Sequence, residues 1–267
     1  MLATALSVVT RGVPDITIDW ARVARFYDAY ASATFDLPFY LEEARHSPGE
    51  VLDLMAGTGR VTIPLLQAGV SVTCVDNSPA MLERLHQKLD RLGLSADVHD
   101  MSVCDLSLPR QFSLILLPSH SFSEILSVPD QTRALERIQA HLDDSGRFIC
   151  TLHNPAARLK TVDGQLRLLG SYAFDEYGSR LVVWSIASRD SGSPLVHGFQ
   201  FYEEYDARGT MREKSILPLH FSLIGRGEFE AMAESVGFKV VTLYGDYARA
   251  PFDEEASPYM IWVLGRR

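Results

Sequence analysis

Two carboxylates and two glycines near the start of the chain have the types and spacing to do chemistry. Asp53 stands near the end of the apolar run Val51–Leu54, and Gly57 and Gly59 follow in "AGTGR". Asp76 closes the next apolar run, 23 residues after Asp53. Glycines let the main chain approach a ligand closely, and a helix opening near Arg60 would aim its amides and positive dipole end at that ligand. A carboxylate at the end of the second strand can accept both hydroxyl hydrogens of a ribose. Two histidines hold comparable positions further on, His120 in "PSHSF" and His153 in "TLHNP", each directly after an apolar run. The ordinary pKa of imidazole suits proton transfer near neutrality, although a hydrogen-bonding wall residue would look the same.

The ligand of the turn follows from what does not fit. A dinucleotide fingerprint starting at Gly57 needs a small residue at position 62, where Thr62 stands. The charge of Asp53 would oppose a pyrophosphate but suit the ammonium of an amino acid. A nucleoside joined to an amino acid is S-adenosylmethionine. Taken singly, Gly57 and Gly59 could be only a tight turn, and Asp76-Asn77-Ser78 only a helix cap.

The elements that must position these residues are legible as alternating patterns. Val51–Leu54, Val70–Val75, Leu114–Leu117 and Phe148–Leu152 are short and continuously apolar, as strands buried on both faces are. Helix-period segments lie between them, ending at Gly69, Gly93 and Gly146. The alternation predicts an α/β fold with a doubly wound parallel sheet. After about residue 160, closely spaced strands with turn signals at Tyr177-Gly178, Ser191-Gly192 and Arg208-Gly209 predict an antiparallel β meander. It interrupts the α/β unit, which resumes in "GRGEFEAMAESVG", as a lid or substrate-side insertion would.

Composition narrows the function classes. The chain has 267 residues, 46% hydrophobic and 22% charged, ordinary for a soluble globular protein. Lys and Arg number 25 against 34 Asp and Glu, a net charge of -9 that disfavours nucleic acid as a partner. Cys74, Cys104 and Cys150 lack metal-ligand or disulfide spacing, so reduced thiols, no metal and a cytoplasmic location are expected. The opening "MLATALSVV" is too short for a membrane span and lacks a preceding basic residue, so residues 1–24 are expected to be a flexible N-terminus and no membrane partner is implied.

"VLDLMAGTGR", followed by "VTCVDNSPAML", "DVHDMSVCDL" and "FSLILLPSHSF", resembles the class I S-adenosylmethionine-dependent methyltransferases of small-molecule type, in motif order and spacing, from roughly residue 25 onward. The resemblance implies a Rossmann-like seven-stranded sheet in a single domain over 25–267, with a helical cap over about 25–48 and the β insertion over about 165–222. It implies that Asp53, Ala56, Gly57 and Gly59 hold the methionine part, Asp76 grips the ribose, and Asn77 and Met81 pack near the adenine. Asp100 and Met101 would read the adenine edge, Leu117 would face the methionine moiety, and Tyr27 and Tyr40 would reach over the cofactor. Met55 departs from the family, which usually has glycine there; its side chain is expected to point away from the ligand.

Methyl transfer from a sulfonium is an in-line displacement that needs alignment, exclusion of water and, for a protonated nucleophile, a base. His120 and His153 are the candidate bases. Phe199, Phe201 and Tyr205, on one face of a period-two strand, would form one wall of an acceptor pocket. The expected reaction is methylation of an N or O nucleophile on a small molecule, with S-adenosylhomocysteine as product. A protein or RNA methyltransferase is the alternative; a third reading is a non-catalytic S-adenosylmethionine-binding protein. The apolar inserted strands would permit a homodimer.

Overall fold

The computed structural model describes residues 18–175 and 177–267. Its main sheet has seven strands: β1 (Val51–Leu54), β2 (Val72–Asp76), β3 (Asp97–Asp100), β4 (Phe112–Leu117), β5 (Leu142–His153), β10 (Phe238–Tyr244) and β11 (Tyr259–Arg266). Their order across the sheet is β10-β11-β5-β4-β1-β2-β3. β1 to β5 run parallel, and β11 is antiparallel to both of its neighbours. Strand order reverses between β1 and β4, so their carboxyl ends open the crevice where an α/β sheet binds its ligand. β1 and β4 are buried at every residue, which is why they read as apolar runs broken only by Asp53 and Ser113.

Helices cover both faces of this sheet. α3 (Thr62–Gln67) follows β1, α4 (Pro79–Leu92) follows β2, and α5 (Val128–Ala140) lies between β4 and β5. α4 ends on Gly93 in the left-handed region, and α5 opens on Ser127, whose hydroxyl accepts from the Asp130 amide. α7 (Arg226–Ser235) packs beside β10, with Phe229 and Ala233 in the core.

Between β5 and α7 the chain builds a second, four-stranded antiparallel sheet, in the order β6 (Arg167–Ala173), β7 (Arg180–Arg189), β8 (Leu195–Tyr205) and β9 (Met211–Ser222). The N-terminal helices bridge the two sheets. α1 (Ala24–Tyr30) joins Ile18, Val23 and Phe26 to Leu181, Val183, Tyr202 and Leu217 of the meander. α2 (Leu37–Arg45) packs Phe39, Tyr40 and Ala44 against β1, β2 and the first helix of the main sheet.

The expected flexible segment 1–24 includes residues that the structure packs into the core. Residues 1–17 lie outside the described residues, but Ile18 is buried and Val23 is fully so. They form no periodic pattern because their apolar partners are on strands more than 150 residues away. No helix among the described residues is long and apolar enough to cross a membrane.

Candidate active site

A cavity of about 260 Å³ opens at the carboxyl end of β1 and β2. Its walls include Gly57, Asp76, Asn77, Met81, Met101, Val103 and Cys104. Asp76 is set by main-chain amides: Gly57 N donates to Oδ2 and Ser78 N to Oδ1, both at 2.8 Å. Each oxygen keeps a free lone pair, so the carboxylate can still accept from two hydroxyls. Burial raises its pKa, and the charge of Asp100 adds to this against the amide hydrogen bonds. Gly57 has φ +57°, and an added Cβ would meet nothing within 4 Å; the space over it is open.

Beneath the turn, Asp53 is 1% exposed. Its Oδ2 accepts from Thr62 Oγ1 at 2.6 Å, while Oδ1 is buried without a partner. Burial, only partly offset by Thr62, raises its pKa to about 6. An orphaned buried acceptor, a paired carboxylate and an open glycine suit the ammonium, ribose and main chain of S-adenosylmethionine, so the donor set fits that cofactor.

A second cavity of about 240 Å³ adjoins the first. Trp20, Tyr27, Ser121 and Glu124 line both. The second is walled further by Tyr30, Phe35, Asp36, Arg60, Ser119, His120, Tyr247 and Tyr259. Glu124 sits on a 3-10 turn after β4 and accepts from Trp20 Nε1 at 3.1 Å. Burial raises its pKa to about 7, the Trp20 hydrogen bond opposing. Ser119 and His120, just before that turn, have φ of +61° and +63°, a left-handed pair of non-glycine residues held at the edge of the second cavity.

Three polar ties fix the N-terminal cap across the site. Besides Trp20 to Glu124, Thr58 Oγ1 donates to Asp28 Oδ1 at 2.6 Å. Arg60 grips Asp36 with two bonds of 2.7 Å and reaches Ser119 Oγ at 2.9 Å. The cofactor turn, the cap and the loop after β4 are thus one connected frame.

Residues 51–146 match the model of a methyltransferase domain. The fold of the chain is that of the S-adenosylmethionine-dependent methyltransferases. It is similar to a glycine/sarcosine N-methyltransferase of Parasynechococcus marenigrum (strain WH8102), 25% identical over 241 residues that make up 89% of this chain and 79% of the relative. Among solved structures it is similar to an S-adenosylmethionine-dependent methyltransferase from Clostridium acetobutylicum ATCC 824, with a TM-score of 0.77, 17% identity, and coverage of 92% of this chain and 98% of that one. It is also similar to the sugar N-methyltransferase KedS8 from Streptoalloteichus sp ATCC 53650, with a TM-score of 0.66, 19% identity, and coverage of 98% and 93%.

In this methyltransferase the residues named from sequence fall into three groups. Gly57, Asp76, Asn77, Met81 and Met101 line the first cavity, and Tyr27 lines both. Asp53 lies just beneath the turn, and Ala56 packs against the core under the turn. The others are placed differently. Gly59 has φ +84°, and a Cβ there would come within 2.4 Å of Leu85 Cδ1, so it serves helix packing. Asp100 is exposed and acts on the site only through its charge on Asp76. Leu117 is wholly buried in the core. Tyr40 is wholly buried too, its hydroxyl 3.0 Å from Thr151 Oγ1, because the helix face it shares with Phe39 and Ala44 packs on the sheet.

Met55 borders the first cavity, and its side chain packs against the core of the main sheet. Its φ of +53° is the left-handed conformation that favours glycine, which accounts for the family's usual residue there. His120 lines the second cavity, whereas His153 stacks behind it with ring centroids 3.9 Å apart. Burial, followed by the Arg158 charge, lowers the pKa of His120 to about 4, far from the neutrality expected of a base. His153 is lowered as well, by burial and then by His120. Phe199, Phe201 and Tyr205 lie on the meander face opposite to Gln200 and Tyr202, and it is these two that meet Tyr30. Sequence reasoning missed Trp20, Arg60 and Glu124 as site residues, although Glu124 stands two residues after "PSHSF".

Proposed function

We propose that this methyltransferase acts on a nitrogen of a small-molecule amine held in the second cavity. The observation that supports this best is Glu124, a half-buried carboxylate on the boundary shared by the two cavities. When bound, the cofactor supplies an electrophilic methyl group on a sulfonium. Asp76 and the amides around it orient the ribose, and Gly57 lets the methionine part lie against the main chain. Glu124 attracts an incoming ammonium and, with a pKa of about 7, is matched to accept its proton and leave the nitrogen lone pair free. An alcohol hydroxyl would need a much stronger base than this carboxylate. Trp20 and Tyr27, edge to face at 5.5 Å, exclude water and present π-faces that favour a cation.

The relatives support the nitrogen reading: two of those above are N-methyltransferases, one for glycine and sarcosine and one for a sugar. The reading treats residues 25–267 as one working unit in which the meander and cap close over the sheet edge. A cytoplasmic setting belongs to it, supported by three buried thiols without a disulfide. The test is transfer of a labelled methyl group to matched amines and alcohols by wild type and Glu124→Gln. Transfer to amines that falls at least tenfold in Glu124→Gln, with unchanged S-adenosylhomocysteine affinity, supports it. Transfer to alcohols alone, or a fully active variant, overturns it.

A further inference from the structure

The part of the second cavity that it does not share with the first is largely aromatic, and proton and methyl transfer give those rings no task. Phe35 from the loop between α1 and α2, Tyr247 from the loop after β10, Tyr259 at the start of β11 and His120 after β4 line it. Their rings form one cluster. Phe35 stacks on Tyr259 with centroids 6.3 Å apart and planes 15° from parallel, and Tyr247 meets these two at 5.6 and 5.5 Å. The His120 ring lies 5.4 Å from Tyr259. The cluster is nevertheless not closed into a core: Phe35 is 60% exposed, and Tyr247 and Tyr259 are half-buried. Rings that only held the cap in place would be covered, as Phe39 and Tyr40 of α2 are.

Polar groups of the same wall are already engaged. Arg60, the one cation there among the described residues, uses all four hydrogens of its two amino groups: on both oxygens of Asp36, on the Ala33 carbonyl and on Ser119 Oγ. A carboxylate or phosphate on the acceptor would find no free guanidinium fork. Arg158, which ends α6 (Pro155–Arg158), lines neither cavity. The Tyr30 hydroxyl accepts from Gln200 Nε2 at 3.1 Å, and that of Tyr247 donates to Thr151 Oγ1 at 3.3 Å. A hydroxylated ring such as a sugar would therefore exchange water for ring faces and leave hydroxyls without partners. An aromatic ring has no such loss, and it covers open surface of Phe35 and Tyr259. Size agrees: an apolar cavity of about 150 Å³ takes up benzene, so about 240 Å³ accommodates one ring with a short chain.

We propose that the acceptor is an arylalkylamine: its aromatic ring packs against Phe35, Tyr247 and Tyr259, and a short chain carries its nitrogen to Glu124 beside Trp20 and Tyr27. Phe35 and Tyr259 are then specificity-determining residues that take no part in moving the proton or the methyl group. The proposal rests on the reading of the second cavity as the amine site.

Calorimetric titration of the complex with S-adenosylhomocysteine tests this without requiring turnover. The probes are phenethylamine; propylamine, which lacks the ring; glucosamine, whose ring is hydroxylated; and phenylalanine, which adds a carboxylate. Wild type is expected to bind phenethylamine at least tenfold more tightly than each of the others. Phe35→Ala and Tyr259→Leu are each expected to weaken phenethylamine at least fivefold with S-adenosylhomocysteine affinity unchanged, and Phe35→Trp to keep the preference. Should Tyr259→Leu fail to fold, Phe35→Ala, at an exposed position, carries the test. Glucosamine, propylamine or phenylalanine binding as tightly as phenethylamine, or a ring preference undiminished in Phe35→Ala, overturns the proposal. Phenethyl alcohol separates it from the reading on which it rests. Alcohol and amine bound equally tightly through Phe35, without methyl transfer to phenethylamine, would remove the amine reading and leave the ring site standing.

Discussion

Trp20 and Glu124 are 104 residues apart in the chain, and the indole Nε1 donates to the carboxylate at 3.1 Å on the boundary between the two cavities. The bond ties the N-terminal segment to the loop after β4. It also fixes the orientation of the carboxylate that borders both cavities. Removing the donor leaves a half-buried carboxylate with one partner fewer, at a cost of about 1–3 kcal/mol. Trp20→Phe is therefore expected to push the Glu124 pKa further up and to shift the rising limb of the rate profile to higher pH. An unchanged profile in Trp20→Phe would show that the bond does not tune the carboxylate.

Stability should carry a mark of the same group. The pKa of Glu124 is raised in the folded protein, so the folded state holds a proton that the unfolded state releases between about pH 4.5 and 7. The associated stability is present below that window and is lost as pH rises through it; a shift of this size corresponds to roughly 3 kcal/mol. Asp53, raised to about 6, contributes with the same sign, while His120, lowered to about 4, opposes both by losing stability as pH falls below 6.5. Glu124→Gln removes one term only. Its melting temperature is expected to gain on wild type from pH 5 to pH 8, and a constant difference across that range would contradict the assignment.

Met55 holds φ +53° at a cavity wall where glycine would carry no steric cost. The left-handed strain of about 1–2 kcal/mol is offset by the entropy that glycine loses on folding. Met55→Gly is expected to change stability by less than about 1 kcal/mol while enlarging the cavity. Met55→Val puts a β-branched side chain at the same φ and is expected to lose about 2 kcal/mol in urea denaturation. Equal stability of the two variants would mean that the backbone there relaxes freely.

The two glycines of the turn should separate by function. Gly59→Ala drives a methyl into Leu85, which is buried, and is expected to cost about 1–3 kcal/mol of stability. Gly57→Ala faces open space and meets only the φ penalty, so its main loss should be in cofactor affinity. Thermal melts beside ligand titrations of both variants check this; a larger melting loss for Gly57→Ala would reverse the roles.

The sheet and the carboxylate of Asp76 at its ligand edge were legible in the sequence for a physical reason. β1 occupies Val51–Leu54, the run read from sequence, because a strand buried on both faces admits almost nothing polar. Asp76 stands out as the acid that breaks such a run at the ligand edge. Glu124 and Trp20 were illegible because neither sits in a periodic segment and their meaning arises only when distant parts meet. The facing of β8 was ambiguous in principle: Phe199, Phe201 and Tyr205 are as suited to a wall as Tyr202, and alternation gives two faces without saying which turns inward. Tyr40 was misplaced because an aromatic on a cap helix serves the core as readily as the ligand.

Calorimetric titration of wild type, Asp76→Ala and Glu124→Gln with S-adenosylhomocysteine tests the two-cavity account most directly. It predicts micromolar binding to wild type, at least thirtyfold weaker binding to Asp76→Ala, and binding to Glu124→Gln within threefold of wild type, about 2 kcal/mol separating the first two. Undiminished binding to Asp76→Ala, or none to well-folded wild type, would contradict it.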